Sequence, residues 1–153
     1  MIENIHLLMA SQTGGAEDAA DETRHLLESH GIRVEWHDLA EREDLSFLKE
    51  ASFIIGVVST WGDGEPPDDA TPFFEELRSQ SPLSLPDTPI AILGLGDSGY
   101  GIFCGCGKEL EAELTRHGGK SIIPRVDCDV WFDDELKQWH SDLISILRPS
   151  SAT

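Results

Sequence analysis

Two kinds of apolar pattern alternate along the chain. Ile5 to Ala10, FIIGVVS at 53 to 59 and PIAILGLG at 89 to 96 are short and almost continuously apolar, as strands covered on both faces should be. Between them, apolar and small residues recur at helical intervals. Ala16, Ala19, Ala20, Thr23 and Leu27 mark one face of a helix from Ala16 to His30, with Glu17 and Asp18 in its first turn and Gly31 beyond its end. RVEWHDL at 33 to 39 alternates and reads as a second strand. Asp68 and Asp69 can cap a helix predicted from about Ala70 to Gln80, where Pro72 falls in the tolerant first turn. Gly107, Leu110, Leu114 and His117 share a further helical face that Gly118 and Gly119 stop, and SIIPRVD supplies a fifth strand. Leu136, Trp139, Leu143 and Leu147 form the core face of a last helix starting at Asp133.

Strands regularly separated by helices predict parallel pairing through right-handed crossovers. The expected fold is therefore α/β, a three-layer sandwich around a five-stranded parallel sheet. A single domain is expected over residues 1–148, with a frayed tail at residues 149–153. In such sheets ligands bind beyond the carboxyl ends of the strands, and those ends carry the unusual segments: SQTGGA after strand one, STWGDGEPPDDA after strand three and GLGDSGYGIFC after strand four.

SQTGGA offers the hydroxyls of Ser11 and Thr13, the amide of Gln12 and the backbone N–H groups of Gly14, Gly15 and Ala16, a set that suits a monophosphate. The same residues also describe an ordinary capped helix start. The Walker pattern G-x-x-x-x-G-K-[ST] is absent, which removes the support for nucleotide triphosphate hydrolysis. The other two loops each set an aromatic among glycines, Trp61 in STWGDGE and Tyr100 in GDSGYG, as a pair of walls for a flat ring would be. A phosphate nest with two stacking rings describes a phosphorylated, planar heterocycle.

Charge narrows the choice of partner. With 29 acidic and 11 basic side chains the formal net charge is −18, a field that repels nucleic acid and anionic membranes and draws basic surfaces. The same charge also serves as a solvating coat. Cys104, Cys106 and Cys128 are odd in number and make no secreted disulfide framework, so a reducing, cytoplasmic setting is expected. No apolar run approaches a bilayer span, and MIENIHLL has no signal-peptide pattern.

SQTGGAE, STWGDGEPPDDATPFF and GLGDSGYGIFCGCGK together resemble the phosphate loop and the two ring-binding loops of the flavodoxin family. The second and third are similar to those of the flavin mononucleotide (FMN) domains of diflavin reductases. The resemblance spans essentially the whole chain and implies sheet order 2-1-3-4-5. It also implies FMN as cofactor and a short-chain, stand-alone electron carrier between a reductase and an acceptor enzyme; the acidic charge leads to the expectation that each meets it with a basic surface. Carried over by position, the phosphate falls to Ser11, Gln12, Thr13, Gly14, Gly15 and Ala16. One ring-binding loop comprises Ser59, Thr60, Trp61, Gly62, Asp63 and Gly64; the other comprises Leu95, Gly96, Asp97, Tyr100, Phe103 and Cys104, with Tyr100 as the stacking ring. Gly15 replaces the family's more usual Thr or Asn, and Gly99 a polar residue, each removing a side-chain contact. Asp63, Glu65, Asp68 and Asp69 are the candidates for docking.

Two other readings share this fold class. GLGDSG at 94 to 99 matches G-x-G-x-x-G, with Asp127 or Asp129 available as a ribose-binding acid, so an NAD(P)-binding module is one alternative. It would leave SQTGGA and STWGDGE without a role. A flavin-dependent reductase of a small substrate is the second. The cysteines are expected to pack, the six histidines show no metal-binding spacing, and Trp36, Trp131 and Trp139 are expected in the core or at strand edges, Trp131 also lying on the loop after strand five, within approach of the site.

Overall fold

Strand β1 (Ile5–Ala10) is buried along its whole length because it is paired on both sides. β2 (Val34–Asp38) runs parallel to it on one flank, with Ile5 opposite Val34, and β3 (Phe53–Ser59) on the other, with Ile5 opposite Phe53. β4 (Thr88–Leu95) continues the sheet beyond β3. This is a computed structural model that describes residues 4–11, 14–42, 44–60, 64–96, 104–129 and 131–147. Strand order is β2-β1-β3-β4-β5, all parallel, as the flavodoxin-like pattern implies.

The fifth position differs in detail from the single strand expected at SIIPRVD. It consists of two short strands, β5 (Gly119–Ser121) and β6 (Val126–Cys128), pairing with opposite ends of β4. Pro124 lies between them and has no N–H to donate to a ladder. Helices α1 (Gly15–Ser29), α2 (Thr71–Ser79), α3 (Gly105–Arg116) and α4 (Asp133–Leu147) fall where the periodicity placed them. The predicted start near Ala70 resolves into a 3-10 turn, Asp68–Ala70, leading into α2 with Pro72 in its first turn. Two further 3-10 segments, Leu39–Glu41 and Ser46–Glu50, fill the β2–β3 connection.

Strand alternation divides the core into two layers. Ile5, Leu7 and Met9 face α1 and α4, where they meet Ala16, Leu27, Trp139 and Leu143. Leu8 and Ala10 face the other side, with Leu39, Phe47, Phe73, Phe74 and Leu110. Each fully buried Leu or Phe contributes roughly 1.5–3 kcal/mol, so the two layers hold the sheet from both faces. Trp139 is fully buried as expected. Trp36 is half-buried, with the Arg24 guanidinium 4.7 Å from its ring centre. Trp131 departs from expectation: it is 86% exposed, because it lies between β6 and α4 with neither layer above it.

Candidate cofactor site

The strand register brings the three glycine-rich segments to one line. Ala10 pairs with Val58, Ser59 with Leu95, and Leu95 with Cys128, so β1, β3, β4 and β6 end together. Beyond the strands the ladder continues: Thr60 N–H donates to Leu95 O at 2.8 Å and Gly96 N–H to Cys128 O at 2.9 Å. The chain leaves β1 toward β2 on one side and crosses back to β3 on the other, so the order reverses between β1 and β3. Open sheets bind ligands at such a reversal, a rule of which flavodoxin-like sheets are themselves an instance.

Ser11 follows β1 directly, and its Oγ accepts the Gly14 N–H at 2.9 Å, closing the turn into α1. Gly14 makes this turn at φ 97°, a left-handed conformation costly to any residue with a Cβ. Asp18 N–H, the first intrahelical donor, bonds back to Gly14 O, so the N–H groups of Gly15, Ala16 and Glu17 before it have no intrahelical acceptor and point out of the helix start. That donor set, with the positive end of the α1 dipole behind it, fits a terminal phosphate without any cationic side chain. Gln12 and Thr13 lie outside the described residues.

The second and third segments are locked to each other. Thr60 Oγ1 accepts the Cys106 N–H at 3.1 Å, which places a side chain of the second loop on the N-terminus of α3. A Cβ on Gly105 would lie 2.6 Å from Gly64 O and 2.8 Å from Gly64 Cα, so the two backbones touch where both residues are glycine. A Cβ on Gly96 would meet Cys104 N at 2.9 Å and its Sγ at 3.1 Å. Cys104 caps α3 in a left-handed conformation, φ 52°, with its thiol 3.5 Å from both Gly94 O and Cys128 O.

Ser11, Gly14, Gly15, Ala16, Ser59, Thr60, Gly64, Leu95, Gly96 and Cys104 thus gather at one sheet edge. Ser59 Oγ donates a long bond, 3.4 Å, to Ala10 O, linking the first strand end to the second. Trp61, Gly62, Asp63, Asp97, Tyr100 and Phe103 lie outside the described residues. The sequence reading missed the Thr60–Cys106 and Gly64–Gly105 contacts; the second left its signal in the glycines of GDGE and CGCG.

The cysteines pack as expected. All three are buried, and burial, with Asp127 adding to it, pushes the Cys104 thiol up to about 11; burial likewise lifts Cys128 to about 12. Asp127 is engaged by Arg125, whose Nε donates to it at 2.8 Å. Arg125 thus occupies the acid that an NAD(P)-binding reading would offer to a ribose. Acidic side chains surround the edge: Glu17 and Asp18 in the first turn of α1, and Asp133, Asp134 and Glu135 in that of α4. An open groove of about 450 Å³ runs from Gly15 past Asp18 and Asp21 to Phe132 and Asp133.

Fold and site together define an α/β domain with an anion-fitting loop at the switch point of its sheet, and comparison with known proteins identifies its family. The sequence model of the flavodoxin family matches residues 7–139; the chain belongs to that family. It is 39% identical over 137 residues to the sulfite reductase [NADPH] flavoprotein alpha-component of Bacillus subtilis, covering 90% of this chain and 22% of that protein. The corresponding protein of Shewanella oneidensis is 33% identical over 147 residues, covering 96% of this chain and 24% of its own. The chain therefore spans about a quarter of these relatives. Among solved structures, a cysteine-to-serine mutant of the Pseudomonas aeruginosa flavodoxin superposes with TM-score 0.80 at 28% identity, covering 95% of this chain and 99% of that one. A flavodoxin of Streptococcus pneumoniae TIGR4 gives 0.79 at 27%, covering 93% and 98%. The chain is an FMN-binding electron-transfer domain. Among the described residues, no helix is long and apolar enough to cross a membrane.

Proposed function

We propose that this domain carries single electrons from a flavoprotein reductase to an acceptor enzyme in the cytoplasm, and that both present basic surfaces to its acidic rim. FMN supplies the electron chemistry. Ser11, Gln12 and Thr13 with the N–H groups of Gly14, Gly15 and Ala16 hold its phosphate. Trp61 and Tyr100 flank the ring; Ser59, Thr60, Gly62, Asp63 and Gly64 line one side, and Leu95, Gly96, Asp97, Phe103 and Cys104 the other. The observation that carries this reading is the joined pair of loops, Thr60 on Cys106 and Gly64 against Gly105, at the same sheet edge as the α1 N-terminus.

Docking follows from charge. Glu65, Asp68 and Asp69 are exposed beside the second loop, in a chain of formal charge −18. Such a rim speeds encounter with a basic partner and does so less at high salt. The test is stopped-flow reduction of the FMN-loaded protein by a diflavin-type NADPH reductase across a range of ionic strength. The rate should fall steeply with salt, and Glu65→Gln with Asp69→Asn should lower both rate and salt slope. Unchanged slopes would place docking elsewhere, and multiple turnovers of a small acceptor with NADPH and no reductase would make the domain an enzyme in its own right.

A further inference from the structure

On the face of the sheet that carries α2 and α3, the β1–β2 edge holds a polar group that electron transfer does not use. His6 and His37 are 3% exposed each, and His6 Nδ1 lies 2.7 Å from His37 Nε2. His6 pairs across the ladder with Glu35, whose carboxylate is 3.2 Å from His6 Nε2. Because side chains alternate along a strand, Glu35 and His37 share the face that His6 presents. One ligand atom from each residue can be chosen so that all three lie within 4.8 Å of one another. Phe47 closes the group from above, its ring 4.2 Å from that of His37, and the Arg42 guanidinium lies 4.7 Å over Phe47.

We propose that His6, Glu35 and His37 bind a divalent first-row transition metal ion such as Zn²⁺, through one nitrogen of each imidazole and a Glu35 carboxylate oxygen. Two imidazoles and a carboxylate are a donor set that Zn²⁺ takes readily, water completing a tetrahedron. The present His6–His37 separation is that of a hydrogen bond. Tetrahedral Zn²⁺ with nitrogens at about 2.0–2.1 Å needs them about 3.3 Å apart, so the rings must part by about 0.6 Å. β2 is the edge strand and the Glu35 side chain is 64% exposed, so the carboxylate can swing in and the ion can enter from that side. With His6 Nε2–H donating to Glu35, the proton between the rings is on His37 Nε2; it passes to His37 Nδ1 or to solvent, and Glu35 exchanges its contact with His6 for the ion.

Electrostatics favour the loaded state. Two neutral imidazoles, one carboxylate and Zn²⁺ sum to +1, in a chain of formal charge −18. Burial already keeps His37 deprotonated at neutral pH, its pKa lowered to about 4, and burial lowers that of His6 as well. Glu35, Glu50 and Asp44 face the pair with negative charge, and Arg42 opposes them. The nearer ring, His37, sits opposite Leu8, two residues short of the β1 end, so about 7 Å of strand rise separates the ion from the flavin loop, and the ion is not part of that loop.

The experiment is isothermal titration of the FMN-loaded protein with ZnCl₂ in a non-chelating buffer, alongside Co²⁺ titration read by its visible ligand-field bands. Wild type should take up one Zn²⁺ saturably and give the intense bands of four-coordinate Co²⁺. His37→Phe, which keeps a ring against Phe47, should lose both while retaining FMN and the wild-type urea midpoint, and Glu35→Gln should weaken both. Should His37→Phe fail to fold, His6→Gln carries the same expectation. Absence of saturable Zn²⁺ uptake by wild type, six-coordinate Co²⁺ spectra, or equal uptake by the histidine variants would overturn the proposal and leave the pair as packing.

Discussion

Replacing Gly105 by alanine tests whether the two glycine-rich loops proposed to hold the ring must touch. The added Cβ would sit 2.8 Å from Gly64 Cα and 2.6 Å from Gly64 O, whereas carbon atoms rest at about 3.5–4.0 Å. Relief needs a displacement of about 0.7 Å, and since both neighbours are backbone no rotamer change supplies it. Helix α3 is held by the buried Leu110 and Leu114 and by the Thr60–Cys106 bond, so the second loop must yield. Overpacking of this kind costs about 1–3 kcal/mol. If that strain falls on the flavin-binding conformation, FMN binding weakens by about 5- to 150-fold at about 1.4 kcal/mol per decade. Quenching of FMN fluorescence on adding apoprotein measures this, with the urea midpoint of the apoprotein showing any part of the strain taken by the fold. Gly15→Ala is the control: its Cβ would meet only Leu95 Cδ2, at 3.7 Å, an ordinary contact, so FMN affinity should change by less than about threefold, in line with the ±0.5 kcal/mol of an unstrained site. Wild-type FMN affinity and stability in Gly105→Ala would refute the close approach, and equal damage from Gly15→Ala would refute the assignment of strain to it.

Three further outcomes are expected. Riboflavin, which lacks the phosphate, should bind the apoprotein at least about 100-fold more weakly than FMN, since charged hydrogen bonds contribute about 1.5–3 kcal/mol each; equal affinities by fluorescence titration would remove the phosphate from the α1 N-terminus. The raised thiol pKa values make stability alkali-sensitive. Above about pH 9 unfolded cysteines lose protons that Cys104 keeps to about 11 and Cys128 to about 12, so the folded state binds more protons and stability falls as pH rises. The urea midpoint should drop between pH 8 and pH 10, less so in Cys128→Ala, and a flat profile would contradict the burial-driven shifts. Trp131, 86% exposed beside the acidic start of α4, is placed as an aromatic anchor for a partner; Trp131→Ala should weaken reductase docking by about 2 kcal/mol with FMN affinity unchanged, and unaltered docking would show the ring to be idle.

The elements legible in the sequence are those whose burial is local in pattern. β3 reads as a strand because FIIGVVS is covered on both faces, and α1 because Ala16, Ala20 and Leu27 recur on one side. The 3-10 segments were not legible, because Leu39, Phe47 and Leu48 are held there by the core under β1 and not by any repeat of their own. The loops were recognisable one by one from their glycines and aromatics. Their mutual geometry was not: Thr60 and Cys106 are separated by 46 positions, and nothing in either segment states that one caps the other. His6 and His37, 31 positions apart, looked scattered for the same reason. Only the parallel register of β1 and β2 makes them neighbours.

The same architecture explains why a phosphate loop can do without a cation. Arg24, Arg42, Arg78, Arg116 and Arg125 are paired with Asp21, Asp44, Glu109, Glu113 and Glu111, respectively, each compensating acids of its own neighbourhood. On the proposed function the phosphate is left to the α1 N-terminus, and no ion pair among the described residues compensates Glu17, Asp18, Glu65 or Asp69. An acid about 10 Å away raises the cost of an added negative charge by about 0.4 kcal/mol in water-like surroundings, and salt reduces this with a Debye length of about 8 Å. Glu17, Asp18, Glu65 and Asp69 therefore act in the same direction on two equilibria. On the proposed function they would make an electron on the cofactor easier to give away, and a basic partner drawn to them would be held more tightly by the added negative charge when that electron is present. Linkage makes these effects reciprocal. A basic partner that neutralises the rim stabilises the reduced cofactor by the same free energy with which reduction tightens the complex, so the rim trades some driving force for delivery to the right surface.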